Sequence, residues 1–196
     1  HTVVKGVIAE LDSRTGELEA RVEYESPAEV TPELEPSVLF KTAFLQGNRL
    51  YTCTETEIVI FQLPGFERIG YLSLPCFNDV HFVRPSLDGG LLVANTGLDM
   101  VLELSLEGRV LREWDVLDRP LWKSFNRDVD YRKVPTTKPH AAHPNYIFYL
   151  DDEVWVNRIR QLDAVCLTRP GRRIYVRRMG NDDFAVGAQD GCAYGG

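Results

Sequence analysis

The chain has 196 residues, a length that suits one domain or at most two small ones. Hydrophobic residues make up 44% and charged residues 26%, a balance that excludes a largely disordered chain, a collagen-like chain and a coiled coil. Lys and Arg number 22 against 29 Asp and Glu, so the net charge is −7, which disfavours nucleic-acid and membrane partners.

No apolar run is long enough for a membrane span, and the first residues lack the basic and apolar regions of a secretory signal. A signal removed before His1 stays an open alternative. The cysteines, Cys53, Cys76, Cys166 and Cys192, form no C-x-x-C pair and have no zinc-finger spacing. They are interpreted as mainly buried core residues, and a cytoplasmic location is predicted.

In chain order, four segments share one pattern: an apolar strand, a short turn that contains glycine, and a second strand. They cover residues 7–24, 58–74, 100–116 and 164–177. A second kind of strand pair precedes the last three of them, at 40–53, 81–94 and 146–156. The repeat length is about forty residues, and an insertion between Asp115 and Lys138 lengthens the last interval.

Four strands in a repeat of about forty residues indicate a blade of a β-propeller, because stacked blades bury both faces of each amphipathic sheet. A β-sandwich of similar strand count is the alternative, but it does not explain the constant internal spacing. The prediction is an all-β propeller of about four blades in one domain. Its parts are an outer hairpin at 5–25, blades at 38–75, 77–116 and 139–178, the insertion at 115–138 and closing strands at 183–194.

Ring closure has three solutions at this point. The C-terminal strands could supply the two inner strands that the N-terminal hairpin lacks, although this stretch is rich in glycine. The chain could instead be part of a larger ring, or a second chain could complete it. An open arc would expose blade faces, which predicts a homo-oligomer.

The repeats FNDVHFVRPSLDGGLLVANTGLDMVLELSLEGRV and HPNYIFYLDDEVWVNRIRQLDAVCLTRPGRR resemble bacterial propellers of the NHL-repeat, arylsulfotransferase-like and lactonase-like superfamily. The resemblance covers roughly residues 5 to 178 and implies architecture rather than activity, because that superfamily holds enzymes, carriers and scaffolds. It also implies that residues at the start of each innermost strand point into a central channel, where several members hold a metal or a substrate.

Three of the four histidines precede predicted innermost strands. If the blades align, His81, His140 and His143 meet at one channel mouth with Asp79 and Lys41 beside them. Neutral imidazoles are ligands for divalent metal ions, and three protein ligands leave positions open for water or substrate. The predicted metal ligands are therefore these three histidines and Asp79, and the predicted cofactor is zinc, iron, manganese or calcium. Capping or turn roles for these histidines are the alternative.

The insertion is expected to lie over the same mouth, because it precedes the strand that follows His140. Its aromatic and basic side chains suit an anionic or aromatic ligand. Lys41, Arg127, Tyr131 and Arg132 are therefore the predicted catalytic or substrate-orienting residues. Packing of Leu121, Trp122 and Phe125 on the blades is the alternative interpretation.

Two functions are compatible with these residues. The first is a metal-dependent hydrolase, lyase or oxidoreductase that acts on a small molecule at the channel mouth. The second is a non-catalytic propeller that serves as a binding or assembly module. Motifs of nucleotide-dependent enzymes and serine hydrolases are absent from the sequence, which excludes those two classes.

Overall fold

The computed structural model describes residues 3–34, 36–179 and 183–189. Its regular structure there is almost entirely antiparallel sheet, with three short 3₁₀ turns, and no helix has the length and hydropathy to cross a bilayer. This all-β composition agrees with the prediction, because short apolar runs separated by glycine-containing turns favour strands.

The chain opens with a separate two-stranded sheet, β1 (Gly6–Leu11) and β2 (Leu18–Tyr24). Gly16 closes its turn with φ of 75°, a conformation that most side chains disfavour. The sheet packs on the following residues through Tyr24, whose ring lies 5.7 Å from that of Phe40. Tyr24 also donates a hydrogen bond of 2.6 Å to the buried carboxyl group of Glu57.

Three larger antiparallel sheets follow, and in each the strands lie side by side in chain order. This is the meander predicted for a propeller blade. Blade one comprises β3 (Thr42–Gln46), β4 (Arg49–Cys53), β5 (Ile58–Gln62) and β6 (Glu67–Leu72). Blade two comprises β7 (Val80–Pro85), β8 (Leu91–Asn95), β9 (Met100–Leu104) and β10 (Val110–Asp115). Blade three comprises β11 (Pro144–Leu150), β12 (Glu153–Arg158), β13 (Asp163–Cys166), β14 (Arg173–Met179) and β15 (Asp183–Gln189).

Blade two lies between the other two blades, and its central strands β8 and β9 are buried along their whole length. One apolar cluster, which includes Ile58, Val83 and Leu102, joins it to blade one. A second cluster, which includes Leu92 and Val156, joins it to blade three. Burial on both faces explains why these strands are continuous apolar runs rather than alternating ones.

The C-terminal strand departs from the prediction. In one of the three solutions for ring closure, residues 183–194 complete a fourth blade with the N-terminal hairpin, but β15 pairs with β14 and forms the fifth strand of blade three. The hairpin is a two-stranded sheet within the described residues. Direct antiparallel pairing with the preceding strand needs only a short connection. Residues 190–194 of the predicted segment lie outside the described residues.

The first strands of the three blades, β3, β7 and β11, are neighbours and begin at the same end of the structure. Thr42 in β3 donates a hydrogen bond of 2.8 Å to the carbonyl oxygen of His81 in β7. His81 in turn contacts the side chain of Asn145 in β11. Side chains that precede or begin these three strands therefore meet in one place, at the mouth of the predicted central channel.

Candidate functional site

Three imidazoles meet at this mouth. The ring centroids of His81 and His143 are 4.8 Å apart in an edge-to-face arrangement, and those of His140 and His143 are 5.1 Å apart. His81 is held from both sides, because its Nε2 lies 3.0 Å from Asp79 Oδ1 and its Nδ1 contacts the side-chain oxygen of Asn145. The convergence predicted from the repeat alignment is therefore present in the structure.

Asp79 lies at the centre of this group. Its Oδ1 accepts a hydrogen bond of 3.1 Å from Lys41 Nζ in addition to its contact with His81. Its Oδ2 is buried without a hydrogen bond, 3.7 Å from His140 Nε2. Asp79 adopts φ of 48°, a left-handed conformation that aspartate tolerates better than most residues. Strained backbone of this kind often accompanies functional sites.

The charges around Asp79 favour its ionised form. Burial alone would raise the pKa of this carboxyl group, but the hydrogen bond from His81 and the positive charge of Lys41 outweigh that effect. Its pKa is therefore well below the ordinary value for aspartate. Burial in turn lowers the pKa of Lys41, but the charges of Asp79 and Glu55 more than compensate and raise it. The Glu55 carboxylate lies 3.2 Å from Lys41 Nζ, so Lys41 forms ion pairs with both Glu55 and Asp79.

The loop that carries His140 and His143 is fixed by the buried carboxylate of Asp99. This carboxylate accepts backbone hydrogen bonds from Ala141, Ala142 and His143 at 2.8 to 2.9 Å. The loop ends with His143 at φ of 57°, an unusual conformation for histidine. A residue of blade two therefore positions the two histidines that precede the first strand of blade three.

The two loop histidines favour their neutral forms. Burial lowers the pKa of His140, although the charges of Asp79 and Asp99 partly oppose this. Burial, together with the positive charges of His81 and His140, lowers the pKa of His143. A neutral imidazole can accept a proton or donate one, so both rings can take part in acid–base chemistry.

A cavity of about 430 Å³ borders this cluster through Asp79. Its walls come from the segment after the N-terminal hairpin, from the turn between β4 and β5, and from the end of the insertion. The lining residues are Pro32, Pro36, Ser37, Glu55, Thr56, Asn78, Asp79, Val134, Pro135, Thr136 and Lys138. The volume suits a small molecule, and the walls offer hydroxyl, amide, carboxylate and ammonium groups.

The insertion lies over this mouth, as predicted, because its residues 134–136 and Lys138 line the cavity. Lys133 anchors it by donating hydrogen bonds to the carbonyl oxygens of Ala28 and Thr31, at 2.6 and 3.0 Å. Trp122 and Phe125 pack against the apolar cluster between blades one and two, whereas Leu121 is exposed.

Three predicted substrate-orienting residues do not join the cluster. Arg127 pairs with Glu113 at 2.6 Å and lies over the Trp122 ring. Tyr131 is buried, and its hydroxyl accepts a hydrogen bond from the backbone of Asn126. Arg132 pairs with Asp130 two residues away. Each of the three side chains forms an ion pair or a hydrogen bond with a residue within or beside the insertion. The spacing of residues in the sequence did not indicate these contacts.

The predicted metal ligands are close together but do not form a preformed metal site. Over residues 3–34, 36–179 and 183–189, no three His, Cys, Asp or Glu side chains are arranged to hold a metal ion. The nitrogen atoms face one another or other side chains instead: His140 Nδ1 lies 3.0 Å from His143 Nδ1, and His81 contacts Asp79 and Asn145. Metal binding by this set would require the imidazoles to turn.

No protein family model matches the sequence, and no curated protein sequence matches it. Solved structures do match. Streptogramin B lyase superposes with a TM-score of 0.50 at 14% identity, over 93% of this chain and 47% of its own. The WD40 domain of Neurospora crassa Pan2 gives 0.53 at 10% identity, over 94% and 55%. A catalytically inactive histidine-to-alanine variant of virginiamycin B lyase from Staphylococcus aureus, with quinupristin, gives 0.52 at 10% identity, over 93% and 62%.

The fold is a β-propeller. The matching structures are propellers of different kinds, so the likeness supports the architecture and does not single out the NHL-repeat, arylsulfotransferase-like or lactonase-like group. The chain spans about half the length of these propellers. At such low identity the likeness concerns the fold alone, although it includes a lyase among the proteins built this way.

Sequence reasoning missed two residues that complete the site. Glu55 lies in the turn between β4 and β5 and pairs with Lys41 across blade one. Thr137 lies 3.3 Å from His140 Nε2 through its hydroxyl. Thr137 precedes His140 by three residues, so a search for hydroxyl groups beside the candidate histidines could have found it. Glu55 has no such signal, because its partner is brought close only by the fold.

Proposed function

We propose that this chain carries the active site of a β-propeller enzyme that acts on a small molecule at the channel mouth. The cavity beside Asp79 binds the molecule, and the imidazole cluster transfers a proton. The observation that carries the proposal is the union of three imidazoles and one strongly acidic carboxyl group beside a cavity of about 430 Å³.

Several features of this cluster are unusual for residues with a purely structural role. Asp79 and His143 both occupy left-handed backbone conformations, and a buried oxygen of Asp79 has no hydrogen-bond donor. Each of these features costs stability and gives none in return. Perturbed titratable groups that share a cleft are typical of catalytic sites.

The reaction class follows from what the side chains supply. Neutral imidazoles remove or deliver protons, and Lys41 supplies a positive charge that can stabilise a developing anion. These groups support an elimination or a hydrolysis without further help. The proposal therefore takes the lyase and hydrolase forms of the prediction.

The metal prediction remains part of the proposal in a restricted form. A divalent ion would bind only after His143 turned its Nδ1 away from His140. Equilibrium dialysis of the purified protein against zinc, iron, manganese or calcium tests this step. Binding below about 0.2 equivalents for all four ions would remove the metal and leave the acid–base version.

The test of function is a search for turnover in a pool of small metabolites, followed by mass spectrometry. Wild-type protein is compared with His143→Gln and with the control Arg127→Gln, which lies in the insertion away from the cluster. We expect wild type and Arg127→Gln to deplete the same compound, and His143→Gln to lose at least a hundredfold in rate.

The products separate the reaction classes. A product that has gained the atoms of water indicates hydrolysis, and a substrate that splits or rearranges without gaining water indicates a lyase. Equal depletion by wild type, His143→Gln and His81→Gln would overturn the proposal. Retention of a compound without turnover would instead favour the non-catalytic binding module.

A further inference from the structure

The hydrogen bonds of Thr137 decide which nitrogen of His140 carries its proton. The Thr137 hydroxyl faces two acceptors, the carbonyl oxygen of Gly97 at 2.6 Å and Asn78 Oδ1 at 3.1 Å. The Asn78 side chain is oriented by its own amide group, which donates to the carbonyl oxygens of Tyr131 and Val134. Because the one hydroxyl proton is directed to these acceptors, the Thr137 oxygen accepts from His140 Nε2, 3.3 Å away.

Asp79 favours the same arrangement. Its buried Oδ2 has no hydrogen-bond donor and lies 3.7 Å from His140 Nε2. A proton on that nitrogen places positive charge toward the carboxylate, whereas a lone pair there would repel it. Two independent neighbours therefore place the proton of neutral His140 on Nε2.

The tautomer of His140 determines the tautomer of His143. With its proton on Nε2, His140 presents a lone pair at Nδ1, which lies 3.0 Å from His143 Nδ1. Two lone pairs cannot form a hydrogen bond, so His143 must donate from Nδ1. Its Nε2 then carries a lone pair, and this nitrogen has no hydrogen-bond partner within the part of the chain that the structure describes.

We propose that His143 Nε2 is the catalytic base of the site, and that Thr137 and His140 are positioning residues that fix its tautomer. This inference rests on the proposed function, because it assigns the base for that reaction. The molecule it acts on must bear a hydrogen on carbon, oxygen or nitrogen that becomes acidic as the reaction proceeds.

The step is balanced without any other reactant. The bond between the substrate atom and its hydrogen breaks, the electron pair stays on the substrate, and the proton forms a new bond to His143 Nε2. The resulting imidazolium still donates from Nδ1 to His140, so the hydrogen bond that fixed the tautomer also supports the charged ring.

The loop geometry keeps this nitrogen in place. Asp99 binds the backbone of Ala141, Ala142 and His143, and His143 itself is held at φ of 57°. His143 is only partly buried, whereas His140 is 5% exposed. The more accessible ring therefore carries the free lone pair, and the buried ring carries the orienting contacts.

Nitrogen-15 NMR of the histidine side chains tests the inference on wild-type protein without any substrate. The two tautomers differ in which ring nitrogen shows the shift of a protonated nitrogen. We expect His143 as the Nδ1–H form and His140 as the Nε2–H form, recorded near pH 8 where both rings are neutral. His143 mainly in the Nε2–H form would overturn the proposal.

Two variants then test the role of Thr137. Thr137→Val removes the oxygen that accepts from His140, and we expect the Nδ1–H form of His143 to fall at least threefold. The control, Thr136→Val, removes a neighbouring hydroxyl that contacts the backbone of Lys138. It should leave both tautomers unchanged. Equal changes in the two variants would contradict the role of Thr137 in fixing the tautomers of His140 and His143.

The outcomes separate this inference from the proposed function. The expected tautomers in a protein that turns over no compound would support the hydrogen-bond assignment and reject the enzyme. Turnover that survives His143→Gln but not His81→Gln would reject His143 as the base while leaving the enzyme in place.

Discussion

Two buried carboxyl groups beside blade one have opposite surroundings. Glu57 is fully buried and accepts hydrogen bonds from four hydroxyl groups, those of Tyr24, Ser26, Thr54 and Tyr71. Asp79 contacts an ammonium group and an imidazole through Oδ1, while its Oδ2 has no hydrogen bond. The first group is saturated with neutral donors, and the second is surrounded by groups that can exchange protons.

This difference separates a carboxyl group whose hydrogen bonds are complete from one that keeps an unpaired oxygen at the edge of a cavity. The donors to Glu57 come from the N-terminal hairpin and from blade one, so their shared acceptor holds two parts of the fold together. Burial and the nearby Glu57 raise the pKa of Tyr71 to about 12, which keeps its hydroxyl group a donor. Asp79 instead faces a cavity and has a pKa below the usual range.

The largest effect is expected from removing the Glu57 carboxyl group. Glu57→Ala leaves the hydroxyl groups of Tyr24, Ser26, Thr54 and Tyr71 without their shared acceptor, and we expect the free energy of unfolding to fall by at least about 3 kcal/mol. Urea denaturation followed by circular dichroism measures this. Glu57→Gln keeps an acceptor oxygen and should lose less. A loss below about 1 kcal/mol for Glu57→Ala would show that the hairpin is held mainly by other contacts.

A smaller loss is expected at Asp79. Asparagine tolerates the left-handed backbone at this position, so Asp79→Asn changes charge with little strain. We expect a loss of about 2 kcal/mol in unfolding free energy, because Lys41 and His81 lose a charged acceptor. The pKa of His140 should also fall, since Asp79 raises it in the wild type. Histidine NMR titration measures the second effect, and an unchanged pKa would argue against the contact.

The pH dependence of stability should report the two loop histidines. Their pKa values are lower in the folded protein than in the unfolded chain, so the unfolded chain binds more protons as the pH falls below about 6.5. Stability is therefore complete above that pH and declines below it, by at most about 1.4 kcal/mol per pH unit for each ring. Urea melts between pH 8 and 5 measure the slope.

The matched variant for that experiment is His140→Gln, which removes one of the two groups and should roughly halve the slope. The Asp79 carboxyl group acts at lower pH. Its pKa is depressed, so its contribution is complete above about pH 4 and disappears only in stronger acid. A decline that begins only below pH 4 would mean that the two imidazoles do not titrate as described.

The smallest effect is expected at Tyr71, whose hydroxyl group lies 3.0 Å from Glu57 and whose side chain is partly exposed. Tyr71→Phe removes one of four donors to Glu57, and we expect a loss of about 1 kcal/mol or less in unfolding free energy. Tyr24→Phe removes a shorter and more buried hydrogen bond and should cost more. The reverse order would show that the hairpin contributes less to the Glu57 site than blade one does.

The sequence predicted the features that depend on repetition. Strand positions, the four-stranded meander and the meeting of His81, His140 and His143 all follow from aligning one blade with the next. Lys41 and Asp79 follow from the same alignment, because both precede an innermost strand. An alignment that was wrong by one strand would have placed these side chains at different ends of the blades.

Features that depend on individual long-range contacts were not predictable. The acceptor role of Glu57 joins residues more than thirty positions apart, and no spacing in the chain signals it. Arg127 and Arg132 were assigned to a ligand because basic residues on loops suit anions, but Glu113 and Asp130 neutralise them. The pairing partner of β15 was not predicted. A strand that pairs with its neighbour and a strand that closes a ring have the same short apolar pattern, so the sequence does not distinguish them.

The attachment of the insertion through Lys133 has a consequence for how this pocket can change. The lysine binds main-chain oxygens of Ala28 and Thr31, which every amino acid supplies, and it ignores their side chains. The insertion is thus tied to the segment after the N-terminal hairpin without constraining the residues that line the cavity. New recognition surfaces can therefore be introduced on either segment by substitution alone, while the fold beneath keeps the imidazole cluster in place.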